Sequence, residues 1–393
     1  MIKITGPTII FTDHHFGLKG NSPSRQKIGV SVIKSIISYA KSHNVKNIIF
    51  AGDYFHQRNA LSVDTINIAF KCMQSMAKTC TVYMILGNHD LFMKNSVDVN
   101  SINMFQDIPN VNIISHATEV DLNSKRALFI PWLADLSKFS KASYDFMFGH
   151  FDISSKYLIS SYVDEHSRKE IASEKNSAVL SSDILLKTTG KANDLVGDFV
   201  ELCKESGTIF AGHIHTHKEF KAKKRNFIFV GSPYQQTLGD IDNDCGFYFM
   251  DDACSYKFIK IDDVPKHIIV KMSDVIKTGI DAYDFSTVKG NIVQKTYDVE
   301  LSPADETRIA QKINDMKPYE ELLPDYQVKI DYSAGTMSDD QAATYVDAIK
   351  KSKLDYVKSY IDNIDDSSLV SDNIDKTKLF DILKTYYTKI VGA

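Results

Sequence analysis

Short apolar runs alternate with amphipathic stretches through the first half of the chain. Thr8–Thr12 reads as a strand, and Gln26–Ser42 places Ile28, Val32, Ile36 and Tyr39 on one helical face. Asn47–Ala51 reads as a second strand. Asp64–Lys78 reads as a second helix with an N-cap-type Asp64 and apolar Ile68, Cys72 and Met76, and Thr81–Leu86 as a third strand. This strand–helix rhythm predicts a layered α/β fold. From Asn110 the strand-like runs crowd together: Val111–Ile114, Ala127–Trp132 and Asp145–Phe148. A helix is expected near Asp194–Lys204, then strands at Thr208–Ala211, Phe227–Val230, Gly246–Met250 and Tyr256–Ile261.

The rest of the chain changes character. Residues 152–191 are rich in Ser, Lys and Glu and poor in aromatics, as a polar surface insertion would be, with a possible helix near Val163–Ala172. Its end, "TTGKAND", lacks the first glycine and the spacing of a phosphate-binding loop. Residues 263–335 read as a small α+β unit, with strands at Asn291–Leu301 and Tyr326–Tyr332 around a helix at Pro303–Met316 that Ser302 caps. The tail from Ser338 reads as helical, with Leu379, Ile382, Leu383, Tyr386 and Ile390 on one stripe after a linker-like run at Asp362–Asp375. The expected division is therefore 1–262, 263–335 and 336–393.

Composition narrows the class. The chain has 393 residues, 43% apolar and 24% charged, as a folded globular protein has. Its formal net charge of −4 excludes binding nucleic acid by bulk positive charge, so any such contact must be local or cation-mediated. The 5 cysteines form no C-x-x-C pair, which suits a reducing compartment. No apolar run is long enough to span a bilayer and the first residues show no signal-peptide pattern. A cytoplasmic protein is expected.

The chemistry lies at the strand ends. The run at Thr8–Thr12 ends in Asp13-His14-His15, that at Asn47–Ala51 in Gly52-Asp53, and that at Thr81–Leu86 in Gly87-Asn88-His89-Asp90. Two later runs end in Gly149-His150 and in Gly212-His213-Ile214-His215. In layered α/β folds such ends converge on one crevice, and glycine lets the backbone turn and approach a ligand closely. Carboxylates, imidazoles and an amide oxygen suit first-row divalent ions such as Mn²⁺ or Fe²⁺. The lack of cysteine argues against a structural zinc site. Asp53 is placed to bridge two ions, which about 4 Å apart hold a phosphate oxygen and generate a hydroxide for in-line attack.

These motifs, in this order, resemble the calcineurin-like metallophosphoesterase superfamily. "GDYFH", with His56 three residues after Asp53, together with "VGSPYQQTLGD" and "CGFYFMD", is most similar to the nuclease subunit of SbcCD-type DNA repair complexes and their phage relatives. The resemblance implies a layered β-sandwich core flanked by helices, a small α+β capping domain and a helical C-terminal tail. It implies one metal held by Asp13, His15, Asp53 and His215 and a second held by Asp53, Asn88, His150 and His213. Two Mn²⁺ are expected, with Mg²⁺ or Fe²⁺ as alternatives. His89 would stabilise the transition state or protonate the leaving 3′ oxygen, His56 would touch the DNA, and Asp90 would orient His89.

DNA-backbone contacts are expected from Arg58 and, with less support, from His217, Lys221, Lys223, Lys224 and Arg225. The last four also fit a solvated hairpin edge. His14, His43, His116, His166 and His267 are expected to be surface or packing residues. The implied activity is a Mn²⁺-dependent 3′→5′ exonuclease and single-strand endonuclease acting on DNA. The implied partners are an SMC-like, SbcC-type ATPase bound through 336–393 and a second copy of the chain, met through Asp64–Lys78 and Asn100–Gln106. The alternatives are a small-molecule phosphodiesterase or phosphatase on the same core, and a non-catalytic scaffold. The long segment between His150 and His213 departs from the resemblance and bears most on His150.

Overall fold

The computed structural model describes residues 1–139, 143–151, 202–222, 224–327 and 380–381. Residues Met1–Gln327 form one compact unit. The insertion at 152–191, residues 194–201 of the helix expected at Asp194–Lys204 and almost all of the expected tail lie outside the described residues. Cys203 and Lys204, expected at the end of that helix, instead open a strand.

Strands β1 (Ile2–Ile4) and β2 (Thr8–Phe11) precede helix α1 (Pro23–Ser42). Then come β3 (Asn47–Phe50), helix α2 (Val63–Ala77), β4 (Thr81–Ile85) and β5 (Val111–Ile114). Next are β6 (Thr118–Leu122), β7 (Lys125–Ile130), β8 (Tyr144–His150) and β9 (Cys203–Gly212), followed by β10 (Lys218–Ala222), β11 (Arg225–Phe229), β12 (Gly246–Met250) and β13 (Tyr256–Lys260). They make a 7-stranded sheet in the order β1-β6-β7-β8-β9-β11-β10 and a 6-stranded sheet in the order β13-β12-β2-β3-β4-β5.

Why these runs make two stacked sheets follows from their period of two. Along β3, Ile48 and Phe50 join the core under the helices while Ile49 faces the other way. Along β4, Val82 and Met84 face the helices while Tyr83 and Ile85 enter a middle layer. The second sheet answers from the opposite side: Ala127, Phe129, Phe146, Phe148 and Phe210 fill that middle layer, and Leu128, Met147 and Ile209 pack behind it. Strands buried on both faces read as unbroken apolar runs, which is what the sequence shows. Phe148 and Phe210 stack with centroids 5.2 Å apart at the centre. Burying side chains of this size stabilises the sandwich by roughly 1.5–3 kcal/mol each.

The helix starts follow capping chemistry. Pro23 occupies the first turn of α1, where its missing N–H costs nothing. For α2 the cap is Ser62, whose Oγ accepts from Thr65 N at 3.1 Å, and not the expected Asp64. The helix starts earlier than expected, with Ser62 satisfying an orphan first-turn N–H, and Asp64 sits inside the first turn.

A third sheet follows. Strand β14 (His267–Lys271) leads to helix α3 (Met272–Thr278), then β15 (Ile292–Tyr297), helix α4 (Pro303–Asp315), β16 (Glu320–Glu321) and β17 (Asp325–Tyr326), with β15 parallel to each of the other strands. Ser302 caps α4 by accepting from Asp305 N at 3.1 Å. Val270, Val275, Val288, Val293, Ile309 and Ile313 form its own core. Arg25, almost fully buried in α1, reaches this sheet: Nη1 lies 3.2 Å from His267 Nε2 and Nη2 lies 3.4 Å from Glu320 Oε1. His267 is thus a packing residue, as expected, and burial lowers its pKa to about 4. All the cysteines are free and buried. Among the described residues no helix is long and apolar enough to cross a membrane.

Candidate metal centre

Strands β2, β3 and β4 run parallel as neighbours in one sheet, and β7, β8 and β9 do so in the other. Their carboxyl ends meet, and the sheets are stitched there by direct bonds. Trp132 N donates to Leu86 O at 2.8 Å, His150 Nδ1 to Ala51 O at 2.8 Å, and His213 N to Asp13 Oδ2 at 3.0 Å. Residues far apart in the chain therefore share one small polar cavity.

The geometry falls into two groups around a common vertex. On one side Asp13 Oδ1 lies 3.7 Å from His15 Nε2 and 3.5 Å from His215 Nε2, and the two imidazole nitrogens are 3.1 Å apart. On the other side His150 Nε2 lies 2.9 Å from Asn88 Oδ1, which is 3.1 Å from His213 Nδ1. Asp53 Oδ2 faces both, 3.7 Å from His15 Nε2 and 3.3 Å from His150 Nε2. Ligand atoms each ~2.1 Å from a shared ion at roughly right angles sit about 3 Å apart, so these spacings match a coordination sphere. The sets Asp13–His15–His215 and Asp53–His150–His213 each converge closely enough to hold one ion. The structure thus brings together Asp13, His15, Asp53, Asn88, His150, His213 and His215.

Electrostatics give the same reading. Asp13 Oδ1 is buried without a hydrogen-bond partner, a costly state for a carboxylate oxygen unless a cation faces it. Burial alone would raise the Asp13 pKa, but the His15 ring and the other imidazoles hold it down to about 2. Burial likewise opposes ionisation of Asp53, and His150 overrides it and lowers the pKa. Burial would depress the His150 imidazolium, yet the Asp53 carboxylate outweighs it and raises the pKa to about 9. The buried carboxylates thus draw positive charge to the cluster, as a site for a divalent cation does. His213, most affected by burial and then by His150, falls to about 4 and is a neutral donor. The residues present fit divalent metal ions.

Backbone geometry is specialised for this convergence. Asp13, His15, Asp53 and His213 all have positive φ, at 51°, 54°, 59° and 82°. Non-glycine residues adopt such values rarely, at a cost of order 1–3 kcal/mol each, and cluster at functional sites when they do. Glycine makes the close approach possible: a Cβ on Gly87 would sit 2.2 Å from Asp53 N, and one on Gly52 would sit 2.3 Å from His150 Nδ1.

The remaining site residues divide. His89 N donates to Asp53 Oδ1 at 2.8 Å, and its ring Nδ1 donates to the carbonyl of His56 at 2.6 Å. A carbonyl only accepts, so the proton is on Nδ1 and Nε2 is the nitrogen available for chemistry. His56 stands beside it with rings 5.6 Å apart, and His15, His56 and His89 form a third imidazole group. Burial, then the positive potential of His15, lowers the His56 pKa to about 4.

Asp90 departs from expectation. It does not touch the His89 ring. Its carboxylate accepts from the backbone N–H groups of Asp53 and Gly87 at 3.0 Å, of Tyr54 at 3.0 Å and of Phe55 at 3.3 Å. It therefore holds the Asp53 turn, and the imidazole is oriented by the His56 carbonyl instead. Burial first, then the Asp53 carboxylate, raises its pKa to about 7, while the backbone N–H groups pull the other way.

His217 is also used within the fold: it stacks on Phe258 with centroids 3.9 Å apart, and its Nε2 is 2.8 Å from Tyr248 Oη. The basic run lies on the β10–β11 hairpin at the sheet edge. Lys221 donates to Asn226 Oδ1, Lys224 lies 3.3 Å from Glu205, and Arg225 Nε donates to Cys203 O. Lys223 lies outside the described residues. Arg58 is half-buried, with Nη1 buried and without a partner. His14, as expected, is a packing residue, wedged among Phe16, Tyr54 and Tyr234 and pushed by burial to about 3.

Two supporting residues were not singled out from sequence. Thr12 Oγ1 donates to Ala51 O at 2.8 Å and ties β2 to β3 beside the site. Trp132, the only tryptophan, packs its ring 5.1 Å from His213 and 6.1 Å from His150. The signal available was its place, just after a strand whose parallel neighbour ends in Gly149-His150.

The chain is 26% identical over 247 residues to exonuclease subunit 1 of Enterobacteria phage T4, covering 61% of this chain and 62% of that one, so less than two thirds of the relative is spanned. A solved structure from Streptococcus pneumoniae TIGR4, of a conserved uncharacterized protein described as a predicted phosphoesterase, aligns over 65% of this chain and 98% of its own at 10% identity and a TM-score of 0.25. The calcineurin-like phosphoesterase model matches residues 6–217, more than half of the chain and every strand end of the cavity. The chain belongs to the calcineurin-like phosphoesterase family.

Proposed function

We propose that this protein is a two-metal DNA nuclease, with Mn²⁺ as the preferred ion, that degrades duplex ends 3′→5′ and cuts single strands. The observation that carries this reading is the placement of Asp53 Oδ2 as the common vertex of two ligand groups. The exonuclease name of the phage relative favours nucleic acid over a small phosphodiester. A pair of divalent ions at such a site polarises a phosphate and activates a water.

The chain's own residues would do the rest. Asp13, His15 and His215 would hold one ion and Asn88, His150 and His213 the other, with the Asp53 carboxylate facing both groups. His150 is locked by its bond to Ala51 O, the outer contact that orients metal-binding imidazoles. His89, with Nδ1–H held by the His56 carbonyl, would present Nε2 to the scissile phosphate and, as the doubly protonated imidazolium, pass its Nε2 proton to the leaving 3′ oxygen and return to the neutral Nδ1–H ring. His56 and Arg58, whose Nη1 is buried without a partner, are the candidates for the DNA phosphate. Residues 263–335 would cap the DNA, residues 336–393 would engage an SMC-like ATPase, and a second copy would pair beside the site.

The test is to supply purified protein and Mn²⁺ with blunt duplex DNA, circular single-stranded DNA and an aryl phosphodiester. Loss of nucleotides from 3′ ends and cutting of the circle support the proposal. Turnover of the aryl ester alone would make the protein a small-molecule phosphodiesterase, and no turnover of any substrate would leave a scaffold.

A further inference from the structure

The loop after β11, residues 231–241, reaches the cavity without contributing a ligand. Its contacts go to the backbone of one metal group. Gln236 Nε2 donates to Asp13 O at 2.6 Å, Tyr234 Oη to His14 O at 3.0 Å, and Ser232 N to His215 O at 2.9 Å. The loop therefore holds the carbonyls beside Asp13, His15 and His215, and it makes no such bond to Asn88, His150 or His213.

The loop is itself fixed. Asp240, buried, accepts from Gln236 N at 3.0 Å, from Thr237 N at 2.8 Å and from Thr237 Oγ1 at 3.1 Å. His267 N, at the start of the third sheet, donates to Gln235 Oε1 at 2.7 Å. The Gln236 side chain is almost fully buried, and its Oε1 has no partner. A buried amide that leaves one end unsatisfied is costly to keep, so the bond at its other end has to matter. That bond meets Asp13 at φ 51°, a sparsely populated conformation that persists only when surrounding contacts enforce it.

Resting on the two-metal reading above, we propose that Gln236 is a positioning residue that sets the affinity of the Asp13–His15–His215 metal site and leaves the Asn88–His150–His213 site unaffected. It acts through the Asp13 backbone, as an outer-shell partner does when it aims a ligand. The loop's bond to β14 would make that site the one that feels the third sheet.

The test is a Mn²⁺ titration of the full chain, by calorimetry and by electron paramagnetic resonance of free Mn²⁺, on wild type, Gln236→Met, Gln236→Leu and Thr237→Ala. Met and Leu both remove the donor in similar volume, so a folding failure in one leaves the other. Thr237→Ala weakens the same loop without touching the Asp13 bond. Wild type is expected to bind two ions. In the Gln236 variants one binding step weakens about tenfold or more while the other stays within about twofold. Their nuclease activity falls at limiting Mn²⁺ and recovers at saturating Mn²⁺. Thr237→Ala lowers the melting temperature with both affinities kept. Unchanged affinities in the Gln236 variants, equal weakening of both steps, or the same selective loss in Thr237→Ala would each overturn the proposal. A wild type that binds no Mn²⁺ would instead overturn the two-metal reading beneath it.

Discussion

The strand-end cavity and the β10–β11 hairpin both gather ionisable side chains, and the fold treats the two groups in opposite ways. In the cavity Asp13 Oδ1 is buried with no partner, His15 and His215 nitrogens face each other at 3.1 Å, and the Asp53 carboxylate raises the His150 pKa to about 9 against burial. On the hairpin Lys224 pairs with Glu205, Lys221 bonds Asn226, and Arg225 bonds a carbonyl. Groups that a protein keeps for a ligand are left unsatisfied at structural expense, and groups that merely solvate an edge find partners within the fold. The sequence already sets the ligand-type residues at strand ends apart from the basic run, and their partners in the fold sharpen the difference.

The sharpest way to break that contrast is Asp53→Asn, which removes the charge both ligand groups share. We expect loss of both ions and a fall in activity of more than ~1000-fold, equivalent to ~4 kcal/mol of transition-state stabilisation, measured by metal titration and a duplex-end assay. A variant that keeps both ions would sink the bridging role.

Next comes His89→Ala, expected to keep the fold and both ions and to lose at least ~100-fold in rate; wild-type cleavage would dismiss His89 as the proton donor. Asp90→Ala should act differently, through stability. It leaves the N–H groups of Asp53, Tyr54, Phe55 and Gly87 without their acceptor. Denaturant unfolding should lose on the order of 2–5 kcal/mol, with weaker metal binding at both sites because Asp53 loses its support. An unchanged unfolding midpoint would show that water satisfies the turn. The smallest effect is expected on the hairpin: Lys221→Ala and Lys224→Ala should change stability within about ±0.5 kcal/mol and DNA affinity within about twofold. A large drop in the salt dependence of DNA binding would return those lysines to the DNA path.

Much of this was legible in the sequence. The apolar runs that end in Asp13, Asp53, Asn88, His150 and His213 could be read as strands because each is buried on both faces, and the ligand types at their ends then had one place to meet. Strands β1, β6 and β14 were not legible. The first is three residues long, β6 mixes Glu119 and Asp121 with apolar residues, and His267 at the head of β14 hid a strand start. Asp90 was misread because the family resemblance assigned it to orient His89. Its bonds run instead to backbone groups that lie close only once β3 and β4 are paired. Gln236 was illegible for the same reason: its partner, Asp13 O, lies 223 positions away.

The most direct test of the two-metal cavity is anomalous diffraction from a crystal grown with Mn²⁺. The account predicts two peaks about 4 Å apart that flank Asp53 Oδ2, one against Asp13, His15 and His215 and the other against Asn88, His150 and His213. A single peak, or two peaks that do not share Asp53, would contradict it.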